Sequence, residues 1–293
     1  MIEFLFRLLA ALPLSLVHSI GASLGSLVYW VSASYRRRLR ENLVQAGYDP
    51  DRMAPAARRE AGRQALETPW IWMRPRAEVM ARVSTEAAAA EVIRTALSEQ
   101  RPIVFLTPHL GCFEVTAQWY AANFAPAAGR PITVLYRVPR KPVLRRIVAE
   151  GRAGENMALA PADVSGVRKL MRALKNGETV GILPDQVPSN GEGVWAPFFG
   201  RQAYTMTLPI KLARQFDAIV LLVWGERLGH GEGWSIRAAR FEANLSGAAA
   251  ADATLMNQAL ETMIRQCPEQ YLWAYNRYKT PAGVAAPAQD IQA

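Results

Sequence analysis

The chain is poor in thiol and in imidazole. Two cysteines in 293 residues, Cys112 and Cys267, make no disulfide framework and fit a reducing compartment. Three histidines, His18, His109 and His230, add no zinc-ligand spacing, so a structural metal is excluded. The sequence holds no GxxxxGK[ST] and no strand-linked GxGxxG, which removes the usual loops for binding nucleotides. No repeat, linker or low-complexity block interrupts residues 36 to 280. Acidic residues are in deficit, 25 Asp+Glu against 34 Lys+Arg for a net charge of +9. Such a surface attracts polyanions: phosphate-rich lipid, nucleic acid or an acidic protein. With 51% hydrophobic and 20% charged residues, the composition is globular, not disordered.

Charge is also missing locally. From Leu8 to Tyr35 there is no formal charge, long enough for a helix to cross a hydrocarbon core of roughly 30 Å, which takes about 20 residues. Tyr29 and Trp30 near its end, then Arg36, Arg37, Arg38 and Arg40, are what an interface and a cytoplasmic flank carry. A signal peptide has a shorter apolar core and is not usually followed by an arginine cluster. Pro13, His18, Gly21 and Gly25 interrupt the run, so a bent or paired helix lying in the interface is the alternative to a crossing. Residues 1–35 are therefore expected to be a membrane anchor, 36–281 a catalytic domain and 282–293 a loose tail.

What the chain does have is alternation. The stretches PIVFLTP, PITVLYR, ETVGILPD and AIVLLVWGERL read as buried strands, rich in Val, Ile and Leu and bounded by Pro, Gly or charge. WSIRAARFE reads as a more exposed one. Helical patterns fill residues 54–74, 85–99, 112–122, 141–152, 204–216 and 251–266. Another runs from a cap at Asp163 or Ser165 to Gly177. The pattern predicts an α/β fold: a mainly parallel central sheet flanked by helices. Ligands bind such sheets beyond the C-terminal ends of strands, where His109 and Asp185 both fall.

His109 stands in FLTPHLGCFEV with Glu114 five positions on. Within one helix, residues five apart diverge by roughly 140°. His109 is therefore expected in the loop, with a helix beginning near Cys112 and Glu114 in its first turn, where the dipole favours a carboxylate. From there Glu114 can reach back to one imidazole nitrogen and leave the other as a general base. Gly111 would let a substrate approach the backbone, and free amides at the helix start would hold an oxyanion. A buried histidine beside a capping glutamate is the alternative. So is a Cys112 thiol nucleophile with His109 as its base, although an unpaired cysteine is usually packed as a small apolar group.

TPHLGCFE, LYR, LKNGETVGILPDQVP, VWAPFFGRQAYTMTLP and PEQYLWAYNRYKTP occur in one order. Together they resemble the late lipid A acyltransferases, the lauroyl/myristoyl transferase family of Gram-negative bacteria, from the anchor to about Pro281. The resemblance implies an inner-membrane enzyme whose catalytic face is cytoplasmic. It implies transfer of a fatty acyl chain from the thioester of acyl carrier protein to a hydroxyl of a lipid A precursor, without metal, cofactor or nucleic acid. His109 and Glu114 fall on its catalytic motif. Arg137, Arg152, Asp185 and Gln186 are candidates for binding substrate, and VWAPFFG with Trp195 for lining an acyl channel. One departure stands out: Tyr275 and Asn276 replace a histidine that many relatives carry after the tryptophan, while Arg277 and Lys279 keep their charges. The motif fixes the reaction better than the acceptor, so a phospholipid, glycolipid or aminolipid acceptor stays open. So does a non-catalytic protein that binds anionic lipid.

Overall fold

The computed structural model describes residues 2–188 and 191–287. The chain opens with helices. α1 (Ile2–Ala11) and α2 (Leu14–Val31) are separated at Pro13, which has no amide to continue a helix. α3 (Ala33–Gln45) begins at Ser32, whose hydroxyl accepts the Tyr35 N–H. α4 (Pro50–Met73) begins at Asp49, whose carboxylate accepts the Asp51 N–H. A short α5 (Arg76–Met80) leads into β1 (Val83–Thr85) and α6 (Ala87–Ser98).

Then come β2 (Ile103–Leu106), α7 (Phe113–Asn123), a single turn α8 (Ala125–Ala128), β3 (Ile132–Tyr136) and α9 (Pro142–Arg152). β4 (Met157–Pro161), α10 (Val164–Lys175) and β5 (Thr179–Ile182) follow. Asp163 is the cap of α10, accepting from the Ser165 and Gly166 amides. β6 (Gly193–Phe198) and β7 (Arg201–Met206) form a separate hairpin, and α11 (Leu208–Gln215), β8 (Ile219–Arg227), β9 (Trp234–Arg240) and α12 (Ala249–Ile264) complete the order.

The central sheet runs β1-β9-β8-β2-β5-β3-β4. Every neighbouring pair is parallel except β8 and β9, which are antiparallel. Both faces are covered, so the middle strands are apolar on both sides. Val104, Leu106, Val180, Ile182, Val220 and Leu222 pack to one side with α10, α11 and α12. Ile103, Phe105, Ile132, Leu221 and Val223 pack to the other with Trp70, Trp119 and Trp234. The mainly parallel α/β fold is the expected one, and β2, β3, β5, β8 and β9 lie where the apolar runs predicted them.

Three stretches differ from expectation. β4 has the sequence MALAP, which lacks the β-branched residues that mark a strand, and it holds the sheet edge through its pairing with β3. Residues 204–206, expected at the start of a helix, end β7 instead, and α11 begins at Leu208. The β6–β7 turn places Phe199 and Gly200 at φ 46° and 77°, the two positive φ values of a tight hairpin turn. It carries Phe198 and Phe199 into the core, so this pair packs the domain and does not line an open channel.

The N-terminal helices lie on the domain. α2 is long and apolar enough to cross a membrane by length and composition, 18 residues of mean hydropathy 1.4, yet one face of it packs along α4. Gly21 and Gly25 meet Gly62 there so closely that a Cβ on Gly21 would stand 2.6 Å from the Gly62 carbonyl oxygen. His18, buried on that face, bonds Glu67 through Nε2 at 2.9 Å. Glu67 also takes both Nε (2.8 Å) and Nη2 of Arg227, whose Nη1 donates to Glu60 at 2.7 Å. Burial works against charge on Glu67, but Arg227 and His18 outweigh it and hold the carboxyl at about 2. The opposite face of α1 and α2 presents Phe4, Leu5, Leu8, Leu24, Leu27 and Trp30 to solvent. Arg36 caps the end of α2, donating to the carbonyls of Tyr29 (3.1 Å) and Trp30 (2.9 Å). A cation there is favoured by the helix dipole. The tail residues 288–293 lie outside the described residues.

Candidate active site

β2 and β5 are parallel neighbours in register, Leu106 opposite Ile182. Each strand is followed by one residue, a proline and then a polar residue: Thr107-Pro108-His109 and Leu183-Pro184-Asp185. Proline keeps the residue before it extended, so both chains leave the sheet straight and reach the same level. His109 and Asp185 meet there, equally far beyond paired strand ends. The His109 amide donates to Asp185 Oδ2 at 3.1 Å, and His109 Nδ1 lies 2.9 Å from Asp185 Oδ1. The Asp185 carboxylate is almost wholly buried, while the imidazole keeps 16% of its surface open. Burial is the largest influence on Asp185 and opposes its charge. The charge and hydrogen bonds of His109 outweigh it, and the carboxyl sits below its ordinary value.

This fixes the tautomer. An ionised carboxylate can only accept, so a proton sits on Nδ1, and in the neutral ring the lone pair is left on Nε2. The Gln186 amide nitrogen lies 3.1 Å from Nε2, placed to donate to that lone pair. The Phe113 ring packs against the imidazole, centroids 4.8 Å apart.

Backbone contacts hold the surrounding loops. The Leu272 amide donates to the His109 carbonyl at 3.1 Å. Gln64 Nε2 donates to the Gly111 carbonyl at 3.1 Å. Gly111 has φ +57°, and a Cβ there would collide with the Gly225 carbonyl. The Gly111 amide donates to Gln270 O at 3.1 Å and the Cys112 amide to Gly225 O at 2.7 Å. Gly111 is thus required by its own chain path against β8, where open access for substrate was expected. Its amide and that of Cys112 are likewise spent on carbonyls and not free for an oxyanion. Tyr275, at the position where the family motif departs, accepts the Val187 amide on its hydroxyl at 2.9 Å and so steadies the Asp185–Gln186 loop. None of these side chains carries a signal in the sequence except Tyr275, through that departure.

Glu114 does not reach His109. It stands in the first turn of α7 as expected, but turns to α4 and α9. Arg152 Nε donates to its Oε2 at 2.9 Å and Arg152 Nη2 to its Oε1, while Trp72 Nε1 donates to Oε2 at 2.9 Å. Trp72 also lies beneath the Arg152 guanidinium, 5.4 Å from its ring. A guanidinium offers a full charge and two parallel donors, and a neutral imidazole offers neither. Burial pulls the Arg152 guanidinium down, but Glu114 beside it raises it overall. The two predicted site residues Glu114 and Arg152 are therefore brought together, with each other. Arg137 is exposed just beyond β3 and makes no ion pair among the described residues. Cys112 is buried, and burial together with the nearby Glu67 pushes its thiol well above the ordinary value, which argues against a thiolate nucleophile. Among the described residues no group of three or more His, Cys, Asp or Glu could hold a metal.

An imidazole with a buried carboxylate on Nδ1 and an unprotonated Nε2 can take a proton from a hydroxyl and return it to a leaving group. Comparison with known proteins narrows the chemistry. The family described as bacterial lipid A biosynthesis acyltransferase matches residues 1–280. The chain is 27% identical to the lipid A biosynthesis lauroyltransferase of Escherichia coli K12 over 285 residues, 94% of this chain and 90% of that one. It is 23% identical to the lipid A biosynthesis palmitoleoyltransferase of the same organism over 279 residues, 93% and 88% of the two chains. A lipid A biosynthesis acyltransferase of Haemophilus influenzae is 26% identical over 206 residues, 67% of this chain and 59% of the relative.

Proposed function

This chain belongs to the bacterial lipid A biosynthesis acyltransferase family, and from that we propose that it moves a fatty acyl group from acyl carrier protein to a hydroxyl of a lipid A precursor, with His109 as general base. The observation that carries this reading is the alignment of Asp185 on His109 Nδ1, with Nε2 turned the other way, at the open end of the sheet. His109 Nε2 removes the hydroxyl proton as the oxygen attacks the thioester carbonyl. A C–O bond forms, and the tetrahedral oxyanion collapses with loss of the C–S bond. The imidazolium, supported by Asp185, returns the proton to the departing sulfur as a thiol. The acyl group arrives activated, so the step needs neither ATP nor metal.

Asp185 takes the role first expected of Glu114. Glu114 is a positioning residue that fixes Arg152, which spends Nε and Nη2 on it. The guanidinium edge left over, with the exposed Arg137, offers positive charge to the phosphates of the acceptor. Residues 36–281 form the acyltransferase domain. α1 and α2 attach it to the cytoplasmic side of the inner membrane, embedding the apolar face that carries Phe4, Leu8, Leu27 and Trp30. α2 keeps its other face on α4, where His18 is hydrogen-bonded to Glu67, which favours a helix lying in the interface over one that leaves the domain to cross.

The test mixes detergent-solubilised protein, acyl carrier protein loaded with chains of several lengths and a tetra-acylated lipid A precursor, and follows product mass. The expected result is a gain of one acyl chain that His109→Ala abolishes. No gain with folded protein and loaded carrier would remove this acceptor and turn the search to phospholipids, glycolipids and aminolipids.

A further inference from the structure

The base is not free in this structure. His109 Nε2 already receives a hydrogen bond from the Gln186 side-chain amide at 3.1 Å, and the lone pair it covers is the one that must accept the substrate proton. In the neutral ring Nδ1–H faces Asp185 Oδ1 at 2.9 Å, so the nitrogen end of the Gln186 amide is the one that pairs with the Nε2 lone pair; its oxygen would set two lone pairs against each other.

We propose that Gln186 is a placeholder on the base: it keeps water off His109 Nε2 until the acceptor hydroxyl displaces it. The inference rests on His109 acting as the base. Its consequence is specificity between two acceptors, a lipid hydroxyl and water. Both are nucleophiles of the same kind, and a base open to solvent would activate either against an acyl thioester. The imidazole is 16% exposed, enough for a water molecule to approach, and Nδ1 is already sealed by Asp185. Nε2 is the one position on the ring where water would do harm, and the amide stands on it.

Displacement suits the chemistry. An amide N–H cannot be deprotonated by imidazole, so the resting pair is inert. A hydroxyl that replaces it puts a transferable proton at the same point. A lipid acceptor, bound through many other groups, can hold its hydroxyl there and offset the lost bond, and a lone water cannot. The Gln186 loop is steadied from behind, because the next residue donates its amide to the Tyr275 hydroxyl at 2.9 Å. The side chain can turn away without the backbone following.

The experiment uses the full chain in detergent with acyl-loaded carrier protein and compares the native protein with Gln186→Leu and His109→Ala. One assay measures thiol release without acceptor, which is hydrolysis, and another measures acyl transfer to the lipid A precursor. The leucine removes the donor and keeps an apolar side chain one atom shorter. One hydrogen bond is worth about a three- to tenfold effect, so Gln186→Leu should raise hydrolysis relative to transfer by at least that factor and lower the acceptor KM. An unchanged ratio of hydrolysis to transfer and an unchanged KM, in a variant that melts at the native temperature, overturns the placeholder. A variant that melts early is replaced by Gln186→Met, judged by the same ratio. Loss of both activities in His109→Ala shows the base to be right whatever Gln186 does. Survival of transfer in that variant means the base itself was misassigned.

Discussion

Two carboxylates compete for the imidazole in the sequence, and substitution tells them apart. Asp185→Asn keeps the shape but can present a donor to Nδ1, which favours the wrong tautomer. It should lower kcat by about a thousandfold or more with little change in acceptor KM. Glu114→Gln should act on another quantity. It leaves the partly buried Arg152 without its counter-charge, costing about 2 kcal/mol, read as an early thermal unfolding midpoint and a raised acceptor KM. Equal kcat losses in the two variants would contradict this division. The sequence names His109, Glu114, Arg137, Arg152, Asp185 and Gln186 as candidates, but pairs His109 with Glu114, whereas its carboxylate partner in the structure is Asp185. Spacing speaks only of neighbours along the chain. His109 and Asp185 are 76 residues apart, and what joins them is the pairing of β2 with β5, which no local pattern reports. Trp72, Gln64 and Gln270 were illegible for the same reason: each acts through a contact made by folding.

At the scale of elements, apolar runs gave away the central strands because both faces of the sheet are covered. β4 stayed hidden because its partner, not its own residues, makes it a strand. The helix most open to misreading is α2. Its charge-free length suggests an independent anchor, whereas its glycines and His18 record a fitted contact with α4. Gly62→Ala would drive a methyl into the Gly21 carbonyl and should destabilise the protein by about 1–3 kcal/mol, visible in thermal unfolding. Glu67→Gln should cost about 3 kcal/mol, since it leaves the buried Arg227 with Glu60 as its remaining counter-charge. The pH dependence carries a definite sign. A carboxyl lowered from 4.5 to about 2 contributes stability that is complete above about 4.5 and fades as pH falls toward 2. Denaturant midpoints measured from pH 7 down to 3 should therefore fall more steeply in the native protein than in Glu67→Gln. Parallel curves would assign the acid sensitivity elsewhere.

The whole molecule joins a positive surface to an apolar band. With a net charge of +9, binding to vesicles containing anionic lipid should weaken steeply with salt. The apolar part should not: Phe4→Glu with Leu8→Glu should cut binding at least tenfold at every salt concentration, since burying one such side chain is worth about 1.5–3 kcal/mol. Vesicle flotation across a salt series measures both. Undiminished binding by the double variant would move the contact away from α1. At the other end of the molecule the two prolines matter in a further way. His109 and Asp185 each hang three residues beyond the centre of a seven-stranded sheet, and the Thr107 amide adds one more rung by donating to the Ile182 carbonyl at 3.1 Å. The pair cannot drift apart unless that ladder opens, and the middle of a sheet is among the last regions of a protein to exchange its amide protons. Loops and the N-terminal helices can fray and re-form around it many times while His109 and Asp185 keep their alignment.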